Sequence, residues 1–167
     1  MGSIFAPPLL EEAASALASA RQQKLRLATA ETVTAGLVSA CLTSVSGASE
    51  VFERGFVLYH SSAKASGLGI GDEIAARYGA VSAEITKGLA EGALKNSDAG
   101  AAVAVTGYAG PGGGNAKDPV GTIYIAAARR GSPTFEERHV FSGDRDEVRL
   151  AAVGAAIRLL RKALDSK

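Results

Sequence analysis

The pattern of apolar and polar positions divides the chain into alternating helical and extended segments. After Pro7 and Pro8, the residues Leu9, Leu10, Ala13, Ala14, Leu17 and Ala20 recur at helical spacing while Glu11, Glu12, Arg21 and Gln22 are polar, which predicts an amphipathic helix. Leu25 to Ala30 predicts a short strand, and Glu31-Thr32-Val33-Thr34 leads from it into a helical run carrying Leu37, Val38, Cys41 and Leu42. A second strand is expected over Gly55 to Tyr59, followed by a short helix opening within His60-Ser61-Ser62-Ala63-Lys64 and by helical turns over Asp72 to Tyr78. Ser82 is placed to cap a helix running through Leu94, and Ala101 to Thr106 is the near-continuous apolar run of a buried strand. Gly107-Tyr108-Ala109-Gly110-Pro111-Gly112-Gly113-Gly114 must be a loop. Strands over Val120 to Ala128 and Thr134 to Phe141 are joined by a hairpin at Arg129 to Pro133. The last helix opens with Asp144 and Glu147 at capping-box spacing and keeps its apolar stripe through Leu164.

This alternation predicts the α/β class, with three layers: helices on both faces of a mixed, mostly parallel sheet. A length of 167 residues suits a single domain spanning 1–167 with its own core. The balance of 18 basic against 17 acidic residues leaves no global field, which argues against direct contact with nucleic acid or an acidic membrane surface. Cys41, the one cysteine, excludes an internal disulfide and any cysteine-cluster metal site. The segment Met1 to Pro8 reads as lacking a secretion leader, and no apolar run reaches the length of a membrane span. The expectation is a soluble, cytoplasmic protein.

Three segments break local rules in ways that suit chemistry. Ala30 to Gly36 lies at a strand's carboxyl end and a helix start, where open α/β sheets bind ligands and where free N–H groups attract anions. Its hydroxyls, Thr32 and Thr34, suit a nucleophile or equally an N-cap, and Glu31 suits the helix dipole. Tyr59 to Lys64 occupies another strand end. A lysine held there out of water would have a lowered pKa and could act as general base towards a hydroxyl, though most lone lysines are solvated. Thr106 with the loop through Gly114 resembles a backbone cradle for a phosphate or an amide, and it matches neither the P-loop nor the dinucleotide fingerprint. Arg145 and Arg149, four apart on the last helix, share a face that suits a phosphate, or are neutralised by Asp146 and Glu147.

Taken in order, Ala30 to Gly36, Phe52-Glu53-Arg54-Gly55-Phe56, Tyr59 with Lys64, Gly79-Ala80-Val81-Ser82, Thr106-Gly107 with Ala109-Gly110-Pro111-Gly112-Gly113, Pro119-Val120-Gly121-Thr122 and Gly143-Asp144-Arg145 with Val148-Arg149 resemble the CinA C-terminal family over nearly the whole chain. The resemblance implies hydrolysis of the carboxamide of nicotinamide mononucleotide to nicotinic acid mononucleotide and ammonia, without metal or cofactor. It also implies self-association as a dimer or a higher homo-oligomer. The implied catalytic group is a hydroxyl at Thr32 with Lys64 and Tyr59. Substrate contacts are expected from Glu31, Thr34, Gly36, Thr106, Gly107, Ala109, Gly110, Gly112, Gly113, Arg145 and Arg149. The chain departs from the family pattern Ala-Glu-Ser-Cys-Thr-Gly-Gly: Thr32 stands at the serine, Val33 at the cysteine and Ala35 at the first glycine, and His60-Ser61-Ser62 stands where Ser-Asn-Glu is usual. Threonine's extra methyl stiffens and crowds a nucleophile. Two readings follow: an amidohydrolase using Thr32, or a nucleotide-binding relative without turnover.

Overall fold

The computed structural model describes residues 3–166; Met1, Gly2 and Lys167 lie outside the described residues. Helix α1 (Pro7–Gln22) precedes strand β1 (Leu27–Glu31), helix α2 (Leu37–Thr43), a 3-10 turn at Ala48–Glu50 and strand β2 (Phe52–Val57). Helices α3 (Ser61–Leu68), α4 (Asp72–Tyr78) and α5 (Ala83–Lys95) follow, then strands β3 (Ala101–Gly107), β4 (Thr122–Arg129) and β5 (Phe135–Val140), and helix α6 (Arg145–Asp165) closes the chain.

The strands form one sheet in the order β2-β1-β3-β4-β5. Pairing is parallel for β1 with β2 and with β3, and antiparallel for β3 with β4 and β4 with β5. The sheet is therefore mixed, with only β4 running against the other strands, and the expected hairpin joins β4 to β5.

Side-chain size separates the two faces, as the period of two along each strand requires. On one face Leu27, Val103, Val105, Ile123 and Ile125 pack under α1, α2 and α6. On the other, Ala28, Ala30, Ala102, Ala104, Ala126 and Ala128 form a shallow floor that lets α5 lie close. Leu89 and Leu94 of α5, with Leu58, Leu68 and Ile70, fill that layer. Among the described residues, no helix is long and apolar enough to cross a membrane.

Local signals hold at the helix starts. Ser82 accepts a hydrogen bond from the Ile85 amide, and Asp144 and Glu147 form the full capping box of α6. The second strand begins and ends earlier than the expected Gly55 to Tyr59. Its register runs beside β1 from Leu27 opposite Phe52 to Glu31 opposite Val57, so it stops where its partner stops and Tyr59 falls in the connection to α3.

Cys41 is fully buried on α2, and burial, followed by the nearby Glu12 carboxylate, pushes its thiol up to about 11. A thiolate is the reactive form. Cys41 is therefore expected to resist an aromatic disulfide reagent at pH 8 in the folded protein and to react within seconds once the chain is unfolded in guanidinium.

Candidate active site

Three parallel strands end on the same edge of the sheet, and their C-terminal connections build a cleft there, as the switch-point geometry of open α/β sheets dictates. The cleft encloses about 330 Å³ and is lined by Thr32 and Val33 after β1, by Tyr59, Ser61 and Lys64 after β2, and by Gly107 to Gly110 and Gly112 after β3. Ala80 and Val81, between α4 and α5, and Arg145 of α6 complete it. Larger concavities lie elsewhere, one of about 650 Å³ between α4 and α5, one of about 470 Å³ between α3 and α5 and one of about 450 Å³ between α1 and α6. None of these three lies at the C-terminal ends of the parallel strands or holds a buried lysine, so the smaller cleft is the candidate site.

The turn after β1 is held by Glu31. Its carboxylate, wholly buried, accepts hydrogen bonds from the amides of Gly36 at 2.9 Å, Val38 at 3.0 Å and Ser39 at 2.8 Å, and from the Ser39 hydroxyl at 2.7 Å. It thus serves as the N-terminal cap of α2 from five residues upstream. The chain reverses through Ala35 and Gly36, with φ of 49° and 98°. Glycine accepts that conformation freely, whereas Ala35 holds it at a cost of about 1 kcal/mol. Arg149 reaches across from α6 and donates to the carbonyls of Val33 at 3.1 Å and Thr34 at 3.3 Å.

Within this turn Thr32 is nearly buried, and its hydroxyl donates to the Val105 carbonyl at 3.0 Å. The Thr34 hydroxyl is buried without a partner among the described residues. The amides of Val33 and Thr34 are not used by any hydrogen bond among the described residues, whereas that of Thr32 donates to Val105. These are the donors next to Thr32 that could meet a developing oxyanion.

Lys64, on the first turns of α3, is only 7% exposed, and burial lowers its pKa below the ordinary 10.5. Its amine donates to the Ala80 carbonyl at 2.8 Å. Among the described residues no carboxylate pairs with it to restore the charged form. Such burial shifts a lysine towards its neutral form, the form that can act as a general base. Lys64 and Thr32 line the same cleft, and no hydrogen bond joins them.

Tyr59 stands 61% exposed at the cleft mouth, where its hydroxyl accepts from Arg145 Nη2 at 2.8 Å. The other arm of the guanidinium donates to the Gly110 carbonyl at 2.7 Å, so Arg145 ties the glycine-rich loop to the β2–α3 connection. Beyond Gly114 the loop is anchored by Asp118, buried and gripped by the Tyr124 hydroxyl at 2.9 Å and by Arg138 Nε at 3.0 Å. Burial, then the Asp118 contact, push the Tyr124 hydroxyl pKa up, keeping it a donor. Gly107 has no room for a side chain, since a Cβ would meet the Thr122 carbonyl at 2.5 Å.

The structure thus gathers Thr32, Lys64, Tyr59, Gly107, Ala109, Gly110, Gly112 and Arg145 of the residues expected from the sequence. It places the others behind the lining. Glu31 and Gly36 are bonded to each other in the α2 cap, and Arg149 is bonded to carbonyls. Thr106 is fully buried and donates to Thr86 at 2.7 Å, because the Thr86 hydroxyl proton already goes to the Ser82 carbonyl. Gly113 sits beside the Tyr108 ring, which a Cβ there would approach to 3.3 Å. Ser61 and the Ala80 carbonyl were not singled out from the sequence. The spacing of Ser61 three residues before Lys64 was the available signal for the first, and nothing local signals the second.

The neighbours of this fold agree with the residue pattern. A competence/damage inducible protein from Agrobacterium tumefaciens superposes with a TM-score of 0.94 and 39% identity, covering 99% of this chain and all of the other. The nicotinamide-nucleotide amidohydrolase PncC of Escherichia coli is 44% identical over 132 residues, which is 79% of this chain and 80% of that protein. A CinA-like protein from Myxococcus xanthus is 43% identical over 91% of this chain, yet the match spans only 36% of its own length. The chain spans about a third of the length of such larger relatives. The model of the CinA C-terminal domain matches residues 10–164, taking in every strand and every loop of the cleft, and the chain belongs to the CinA C-terminal domain family.

Proposed function

We propose that the cleft hydrolyses the carboxamide of nicotinamide mononucleotide, giving nicotinic acid mononucleotide and ammonia, and so serves pyridine-nucleotide recycling. The observation that carries this reading is Lys64: an amine kept out of water, with its pKa lowered and no carboxylate partner, beside side-chain hydroxyls in a ligand-sized cleft. The name of the 44% identical Escherichia coli protein supports the substrate. In the proposed reaction Lys64 takes the proton of a hydroxyl that attacks the amide carbon, the Val33 and Thr34 amides meet the oxyanion, and ammonia leaves protonated through Lys64 and Tyr59. Thr32 is the hydroxyl that the family pattern nominates. Arg145 and the amides of Gly110, Gly112 and Gly113 would bind the phosphate. The protein would work in the cytoplasm as a homo-oligomer, whose subunit number sedimentation equilibrium reads directly.

The test is ammonia release from nicotinamide mononucleotide by the purified protein, with nicotinamide riboside alongside it to isolate the phosphate's share. The account expects turnover of the mononucleotide and at least tenfold weaker use of the riboside. Arg145→Ala should raise KM for the mononucleotide about tenfold while changing kcat less, since a lost charge-assisted contact amounts to about 1.5 kcal/mol.

One observation favours a second reading. The Thr32 hydroxyl is bonded to the Val105 carbonyl rather than to Lys64, as would suit a nucleotide-binding protein without turnover. Calorimetric binding of the mononucleotide with no ammonia released would identify that case.

A further inference from the structure

The cleft contains a second hydroxyl, on the same helix as its lysine. Ser61 is the first residue of α3 and Lys64 lies three residues later, so both belong to one face of the first turn, and both line the cleft. The local sequence is Ser61-Ser62-Ala63-Lys64. A serine opening a helix with a lysine one turn on is an arrangement that acylating hydrolases of unrelated fold use as nucleophile and base.

The hydroxyls around Lys64 differ in their commitments. Thr32 gives its proton to Val105, Ser62 is bonded to the His60 ring nitrogen at 2.8 Å, and Ser66 donates to the carbonyls of Ser62 and Ala63. Ser61 is exposed and lines the cleft, and its hydroxyl is in none of the side-chain hydrogen bonds among the described residues. It is also a primary hydroxyl, free to rotate about its first side-chain bond, where Thr32 is β-branched and nearly buried.

We infer that Ser61, rather than Thr32, supplies the attacking hydroxyl in this chain, with Lys64 as its base. The inference rests on the amidohydrolase reading of the cleft. Ser61 Oγ bonds to the carboxamide carbon as its proton passes to the Lys64 amine. The C–N bond then breaks, and the nitrogen leaves as ammonia with that proton, leaving a nicotinyl ester on Ser61. Water attacks the ester carbon, Lys64 takes the water's proton, and Ser61 Oγ recovers it as the ester bond breaks. Amide and water are consumed, acid and ammonia are formed, and no other reactant is needed.

Two measurements test this. A fluorophosphonate, which phosphonylates base-activated hydroxyls whatever the natural substrate, is applied to the wild-type protein, and the label is located by tryptic mass spectrometry. Cleavage after Arg26, Arg54 and Lys64 puts Thr32 and Ser61 in different peptides. The expected result is label on the peptide from Gly55 to Lys64, absent in Ser61→Ala. Label on the peptide from Leu27 to Arg54, or on neither, overturns the assignment. In parallel, Ser61→Ala is expected to lower kcat for nicotinamide mononucleotide at least 100-fold with an unchanged melting temperature. Turnover within threefold of wild type in Ser61→Ala, with Lys64→Ala inactive, contradicts Ser61 alone and leaves the amidohydrolase reading standing. Turnover retained in both variants overturns that reading as well.

Discussion

Lys64→Met is expected to lose at least 1000-fold in kcat/KM while leaving the fold at least as stable as the parent at pH 7. The amine is buried and, among the described residues, has one backbone partner and no carboxylate, so its ammonium form is disfavoured in the folded state. A folded pKa below the unfolded one means that the unfolded chain binds more protons between the two values, and stability rises with pH across that window. The penalty is therefore full below the folded pKa and is relieved as pH approaches the ordinary 10.5. Methionine has similar volume and no charge. The variant should gain about 1 kcal/mol at neutral pH, with the gap closing as pH rises. The same depression sets the activity profile, because a base must be neutral: kcat/KM rises with pH through an acid limb lying below the range of a solvated lysine. Urea unfolding at pH 7 and pH 10, with initial rates from pH 5 to 10, checks both parts. A destabilised variant, or a pH-independent parent, would show that Lys64 is held for packing alone.

Glu31→Gln is expected to be the most destabilising conservative change at the sheet edge. Four donors converge on the buried carboxylate, three of them amides of the α2 entry. An amide of the same shape keeps one acceptor oxygen and turns an NH2 towards N–H groups, which leaves either the Ser39 amide or both the Gly36 and Val38 amides unpaired in the interior. Lost bonds to a charged acceptor are worth about 1.5–3 kcal/mol each, so a total loss of about 3 kcal/mol is expected. In a chain of 167 residues this lowers the melting temperature by roughly 6–12 °C. Activity should fall too, since the turn carries Thr32 and the free Val33 and Thr34 amides. A melting temperature within 1 °C of the parent would mean that the cap contributes nothing to the fold.

The same residue shows where the sequence stops being legible. Glu31 at a strand end was read as a substrate contact or a favourable charge near a dipole. Its actual role depends on Ala35 and Gly36 folding the chain back in a left-handed turn, which one-dimensional spacing does not reveal. The bonds that Thr106 and Arg149 make are hidden from the sequence for a related reason. Their partners, Thr86 and the Val33 and Thr34 carbonyls, lie 20 and more than a hundred residues away. Features that depend on nearest neighbours were readable: the Asp144 and Glu147 box, the Ser82 cap, α4 at its observed bounds, and the loop after β3. The second strand shows the intermediate case. Aromatic residues drew its expected centre towards Tyr59, whereas its register is set by β1, a non-local constraint. The cleft itself was legible because strand ends and a glycine run mark where an α/β sheet binds ligands, even though Lys64's burial was not.

The measurement that bears most directly on the account is ammonia release from nicotinamide mononucleotide, followed for the wild-type protein and for Lys64→Met under the same conditions. The account predicts ammonia and nicotinic acid mononucleotide in equal amounts from the wild type and none above background from the variant. Equal rates from both proteins, or binding of the mononucleotide by the wild type with no ammonia released, would contradict it.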